Sequence, residues 1–221
     1  MKIVQFHKEH LLLYAITDRA WTDRKSFMQQ AEEALKGGIT MLQLREKNLD
    51  EKTFTEEAVQ MKKLCCKYNV PLIINDNVNV ALQSGADGVH VGALDTPVRQ
   101  IRQAAGKNFI IGATAKTIEQ AKKAEADGAD YLGVGAVFSS PTKQNAIRIT
   151  KDKLREICTS VSIPAVAIGG IGLSNVSKLA GGGMCGIAVV SAVFGADDIT
   201  ASTIKLKEKV NSLIAQKGEN H

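Results

Sequence analysis

Aromatic residues are scarce, 5% of 221 positions with a single tryptophan. So few rings leave no stacking platform for single-stranded nucleic acid, and no basic run is interleaved with aromatics. The net charge of +5 and pI near 9.0 therefore point to anionic metabolites ahead of nucleic acid. Cysteine is sparse too. Cys65, Cys66, Cys158 and Cys185 form no CxxC pair and no His/Cys cluster, so reduced thiols are expected and a thiolate metal site is not. The N-terminus lacks an apolar leader core, and no apolar run is long enough to cross a bilayer. The expectation is a cytoplasmic protein with no membrane partner. No Gly-rich dinucleotide fingerprint opens the chain, no Ser-His-Asp arrangement is in place, and no cysteine is set as a nucleophile. Hydride and acyl transfer are thereby poorly supported.

What is present is a regular alternation. Short apolar runs at 11–17, 39–44, 71–75, 88–91, 109–113, 130–135, 164–168 and 185–190 read as strands. Segments at helical period follow each, at 26–36, 51–68, 78–84, 97–105, 118–127, 151–159, 174–180 and 199–216. Near-continuous apolar strands alternating with helices imply a parallel sheet covered by helices. Eight such units with short links predict a single (β/α)8 TIM barrel over 1–221, with a frayed polar tail at 216–221. In that fold the residues just after each strand gather on one rim, where active sites sit.

The rim residues carry charge of both signs. Gln43-Leu44-Arg45-Glu46-Lys47 ends the second strand. In extended chain, residues two apart share a side, so Arg45 and Lys47 reach out together, a fork of donors beside a mobile point charge. Glu46 lies between them on the opposite side. Asp76 and Asp95 end the third and fourth strands, and two neighbouring carboxylates repel unless a cation sits between them. Oxygen ligands alone suit Mg²⁺, one per site. The competing reading makes each aspartate an N-cap for the helix that follows. Lys143, after the sixth strand, adds a third cation. That much positive charge matches a pyrophosphate leaving group. Gly169-Gly170 after the seventh strand lets backbone N–H groups approach a second phosphate, although a turn is an equally good reason for two glycines.

In order and in placement these residues resemble the thiamine-phosphate synthase family. The resemblance runs from Leu13-Tyr14-Ala15-Ile16-Thr17-Asp18 through the Gln43 to Lys47 stretch, Ile74-Asn75-Asp76, His90 and Asp95, to Thr142-Lys143, Gly169-Gly170 and Val190-Ser191. It implies a TIM barrel that joins 4-amino-2-methyl-5-hydroxymethylpyrimidine diphosphate to a thiazole phosphate, releasing pyrophosphate, with Mg²⁺ required. By that resemblance Gln43, Leu44, Arg45, Glu46, Lys47, Asn75, Thr114 and Lys143 bind the pyrimidine diphosphate. Ser140, Pro141, Thr142, Gly169, Gly170, Val190 and Ser191 hold the thiazole phosphate. Asp76 and Asp95 hold the metal, and Arg45, Lys47 and Lys143 stabilise the leaving group. The chain departs from the family pattern at Ala93, where glutamine is usual, and at Lys116, where histidine is frequent. A thiazole tautomerase of the same fold is the nearest rival, disfavoured by Lys116 and by the retained carboxylate pair. A non-catalytic barrel that binds precursors is a further alternative. The partners implied are small phosphorylated molecules; the oligomeric state is left open, a homodimer included.

Overall fold

A computed structural model describes residues 4–22, 25–139 and 148–215. Eight strands close into one barrel in chain order, every neighbour parallel. They are β1 (Leu13–Ile16), β2 (Met41–Leu44), β3 (Leu72–Asn75), β4 (Gly88–Val91), β5 (Ile110–Ala115), β6 (Tyr131–Gly135), β7 (Ala165–Ile168) and β8 (Gly186–Val189). The outer ring comprises α1 (Phe27–Lys36), α2 (Glu51–Lys67), α3 (Val78–Ser84), α4 (Val98–Ala105), α5 (Ile118–Ala126), α6 (Lys151–Thr159), α7 (Ser191–Phe194) and α8 (Ile199–Ala215). Polar side chains mark where the helices begin. Ser26, Asp50, Asn77, Thr117 and Thr150 each accept a hydrogen bond from a first-turn backbone N–H.

Pleating splits the core in two. Tyr14, Ile16, Met41, Ile73, Ile110, Tyr131, Val166 and Ala188 fill the barrel interior. Their strand neighbours Leu13, Ala15, Leu42, Leu44, Leu72 and Ile74 face the helices. The expected helix at 174–180 is instead a 3-10 turn, Val176–Leu179. Only its Val176 and Leu179 are buried, so the segment covers β7 and β8 with a single turn. Short 3-10 turns at Lys8–Leu11 and Arg19–Trp21, and the one-turn α7, were not expected from periodicity because each is too short to show one. The expected tail at 216–221 lies outside the described residues.

Candidate active site

The strand C-termini surround a cavity of about 300 Å³. Gln43, Arg45, Lys47, Asn75, Asp76, Asp95, Thr114, Gly169, Gly170, Val190 and Ser191 all line it. Residues from six strand ends and the loops after them thus reach one space, as the closed barrel requires. Ser140, Pro141, Thr142 and Lys143 lie outside the described residues.

Two expected binding residues point elsewhere. Leu44 is fully buried against the helical shell, because pleating puts it on the opposite face from Gln43. Glu46 also turns outward. Its Oε2 takes Arg19 Nε at 2.9 Å, and Arg19 additionally pairs with Glu57 and lies over the Phe27 ring at 4.6 Å. Glu46 therefore ties the loop after β2 to the loop after β1 from behind the cavity. Thr17 ties the same two loops from within, its Oγ1 accepting from Arg45 N at 3.0 Å. Arg45 so held lies 3.6 Å from Asp18, a loose pairing that leaves guanidinium donors for a ligand.

The two aspartates are not helix caps. Asn77 caps α3, accepting from Val80 N at 3.0 Å. Pro97 precedes α4 and offers no side-chain cap. Asp95 Oδ2 instead accepts from Gly92 N at 2.7 Å, which folds its loop back on the rim. Asp76 sits in a three-residue turn, with Asn77 N donating to Asn75 O at 2.7 Å. Its φ is 62°, a left-handed backbone that a non-glycine residue occupies at a cost. Partial desolvation, and then the charge of Asp95 beside it, push the Asp76 carboxyl above its ordinary value. Asn75 and Lys47 act in the opposite direction. Two carboxylates are thus held together against both strain and repulsion, which a cation between them would relieve.

The donor set fits Mg²⁺ in one particular way. Among the described residues no group of three or more His, Cys, Asp or Glu side chains could hold a metal. Two carboxylates are too few for an all-protein cage. They suffice for an ion that keeps waters and shares its shell with a substrate diphosphate.

On the far side, Gly169 and Gly170 have φ of 104° and 63°. A Cβ on Gly169 would lie 2.5 Å from Ala136 Cβ, and one on Gly170 would lie 2.2 Å from Ser139 O. Close approach to the loop after β6 thus requires glycine at both, and the same pair lines the cavity. The one-turn helix α7 opens at Ser191, next to them on the rim.

The floor was not foreseen. Tyr14 and His90 line the cavity, and Tyr131 lies directly beneath them. His90 has Tyr131 OH 3.1 Å from its Nδ1 and Thr114 Oγ1 3.1 Å from its Nε2. Asp18 also lines the cavity, whereas Trp21 of the same loop does not. Lys116 joins the lining from the end of β5. The sequence signal for the floor was a tyrosine in each of two otherwise apolar strands, 14 and 131. A buried hydroxyl needs a partner, and the partner must lie inside the barrel.

The family model for thiamine monophosphate synthase matches residues 13–193. The chain belongs to this family. It is similar to the thiamine-phosphate synthase of Clostridium botulinum, 43% identical over 91% of this chain and 96% of that one. It is similar also to the enzyme of Clostridium tetani, 46% identical over 85% of this chain and 90% of the other. Among solved structures, the thiamine phosphate pyrophosphorylase from Pyrococcus furiosus superimposes with a TM-score of 0.86 at 39% identity, covering 94% and 98% of the two chains. A 3-hexulose-6-phosphate synthase shares the fold at 14% identity and a TM-score of 0.64. The family's chemistry makes this chain a transferase of thiamine biosynthesis. Among the described residues no helix is long and apolar enough to cross a membrane.

Proposed function

We propose that the chain condenses the aminopyrimidine diphosphate with 4-methyl-5-(2-phosphooxyethyl)thiazole, giving thiamine phosphate and pyrophosphate. The carbon–oxygen bond between the pyrimidine methylene and the diphosphate breaks, and its electron pair leaves with the oxygen. The thiazole nitrogen donates its lone pair to the methylene carbon. No proton need be transferred, so a rim without an obvious general base is chemically sufficient. In this reading Arg45, Lys47 and Lys143 stabilise the charge that grows on the departing pyrophosphate. Gln43, Asn75 and Thr114 hold the pyrimidine half. Gly169, Gly170, Val190 and Ser191, with Ser140, Pro141 and Thr142, hold the thiazole phosphate. The cavity brings the two reactants together and removes the entropy cost of their encounter. Asp76 and Asp95 would hold Mg²⁺. Bound there, the ion would neutralise part of the diphosphate charge. We place the protein in the cytoplasm on the same reading, in keeping with four cysteines that form no disulfide among the described residues.

The observation that carries this proposal is the carboxylate pair. Neither aspartate caps a helix, one is held in a strained backbone, and both share a cavity with Arg45 and Lys47. Purified protein incubated with both phosphorylated precursors and Mg²⁺ should form thiamine phosphate. No product at high enzyme concentration would sink the proposal.

A further inference from the structure

Five side chains cross the cavity floor in one hydrogen-bonded line. Gln43 Nε2 donates to Tyr14 OH at 2.6 Å. The Tyr14 and Tyr131 hydroxyls are 2.9 Å apart, Tyr131 OH is 3.1 Å from His90 Nδ1, and His90 Nε2 is 3.1 Å from Thr114 Oγ1. Gln43, Tyr14 and Tyr131 are 2%, 1% and 0% exposed, so water does not substitute for the links among these three.

Proton counting gives the line a direction. A tyrosine hydroxyl has one proton to donate. Tyr14 already receives from Gln43, and its other partner among the described residues is Tyr131, which therefore takes its proton. Tyr131 then donates to His90 Nδ1. A neutral imidazole accepting at Nδ1 carries its proton on Nε2 and donates it to Thr114 Oγ1. The Thr114 proton remains for the cavity at one end. The Gln43 Oε1 lone pairs remain at the other. Turning the Gln43 amide over would reverse every link, leaving a donor where the acceptor was and an acceptor where the donor was. The two ends are thus coupled through Tyr131.

The backbone is cut to fit this line. A Cβ on Gly112 would lie 2.4 Å from both Tyr131 OH and His90 Nδ1, and one on Gly133 would lie 3.0 Å from His90 Cε1. Glycine weakens a strand interior, yet β5 and β6 carry one at each of these positions, where the Tyr131–His90 bond occupies the space. The Phe6 ring stacks on Tyr131 at 5.8 Å, and Tyr14 meets it edge-on at 5.9 Å, which fixes the hydroxyl in place.

We propose that Tyr131 is a positioning residue that sets substrate choice without touching substrate. With the Gln43 amide nitrogen turned to Tyr14 OH, it ties an acceptor at Gln43 to a donor at Thr114. That pattern takes a heteroaromatic ring bearing an exocyclic amine and an unprotonated ring nitrogen, and it rejects the corresponding oxo ring. The proposal rests on the reading that this cavity receives an aminopyrimidine.

The test uses full-length protein labelled with ¹⁵N-histidine, the His90 signals being assigned by their loss in His90→Gln. Without substrates, wild type should show His90 protonated on Nε2. Tyr131→Phe should move it away from that tautomer. Tyr14→Phe, which leaves the Tyr131 donor in place, should not. Equilibrium binding is then compared for the aminopyrimidine diphosphate and its 4-oxo analogue. Wild type should favour the amine by about tenfold or more, and Tyr131→Phe should reduce that preference to about twofold with thiazole phosphate affinity unchanged. Wild-type His90 protonated on Nδ1, or a Tyr131→Phe protein that keeps both the tautomer and the preference, overturns the proposal. The nitrogen signals need neither ligand nor turnover, so their failure is distinguishable from failure of the condensation assay.

Discussion

The two ends of the barrel treat charge in opposite ways. At the strand N-termini, Asp87 and Asp130 are each paired with a cation and also hold a backbone N–H. Asp87 takes Lys62 Nζ at 2.6 Å on both oxygens and Leu72 N at 2.7 Å. Asp130 takes Arg102 Nη2 and Ile111 N, each at 2.7 Å. Thr40 does the same for Leu13 N with a hydroxyl, at 2.9 Å. The residue just before an even strand thus repeatedly captures the backbone of its odd neighbour. Two of these stand in the same short phrase, Gly85-Ala86-Asp87 and Gly128-Ala129-Asp130. At the strand C-termini, like charges are adjacent in Asp76 and Asp95, the Arg45–Asp18 pairing is loose, and Asp76 sits in unfavourable backbone. One end holds the barrel shut. The other keeps its charges available for ligands, at some cost in stability.

Mutations should separate the two ends cleanly. The largest effect belongs to the rim. Asp76→Asn and Asp95→Asn should each lower turnover by roughly two to three powers of ten and abolish its Mg²⁺ dependence, checked by steady-state kinetics across a Mg²⁺ titration. Lys143→Ala should lower turnover on the same scale if it meets the leaving group. Next comes the opposite end. Asp87→Ala strands the Lys62 ammonium, 2% exposed, and should cost about 3–5 kcal/mol in denaturant unfolding with turnover intact in the remaining folded protein. Removing both charges with Lys62→Met and Asp87→Ala should cost less than the sum of the single changes.

A smaller effect sharpens the contrast through pH. The Asp76 carboxyl is pushed up in the folded chain, so the ionised form disfavours folding. Its contribution to stability is present below the ordinary carboxylate value of 3.8 and is lost as pH rises through the raised one. Above that window, Asp76→Asn should melt a few degrees higher than wild type without metal, and the two curves should converge in acid. Asparagine tolerates the left-handed backbone there, which keeps the comparison one of charge. The smallest effect is Glu46→Gln. Arg19, its partner, is 42% exposed, which screens the pairing to about 1 kcal/mol, and the change should raise the pyrimidine diphosphate KM only a few-fold by loosening the loop of Arg45 and Lys47.

The barrel is legible in sequence because each unit announces itself twice, by an apolar run and by a following helical period. The rim is legible because charged residues stand out at strand ends. Parity decided the details within Gln43 to Lys47. Alternation puts Gln43, Arg45 and Lys47 on one side, and the same rule sends Leu44 to the shell and Glu46 to Arg19. The floor was hidden for a related reason. A barrel strand is buried on both faces, so Tyr14 and Tyr131 read as two more apolar positions, and nothing local shows that their hydroxyls meet across 117 residues of chain. Gly112 and Gly133 carry the same information in negative, since what fills their missing side chains comes from other strands. The cap reading of Asp76 was open in sequence because Asn77 beside it is an equally good cap, and only the turn geometry separates them.

The most direct measurement is the stoichiometry of the reaction. Supplied with both phosphorylated precursors and Mg²⁺, the protein should release pyrophosphate and thiamine phosphate in equal amounts, with neither formed when the pyrimidine diphosphate is left out. Pyrophosphate released at an undiminished rate without the thiazole phosphate, or precursors consumed with no thiamine phosphate, would contradict the account.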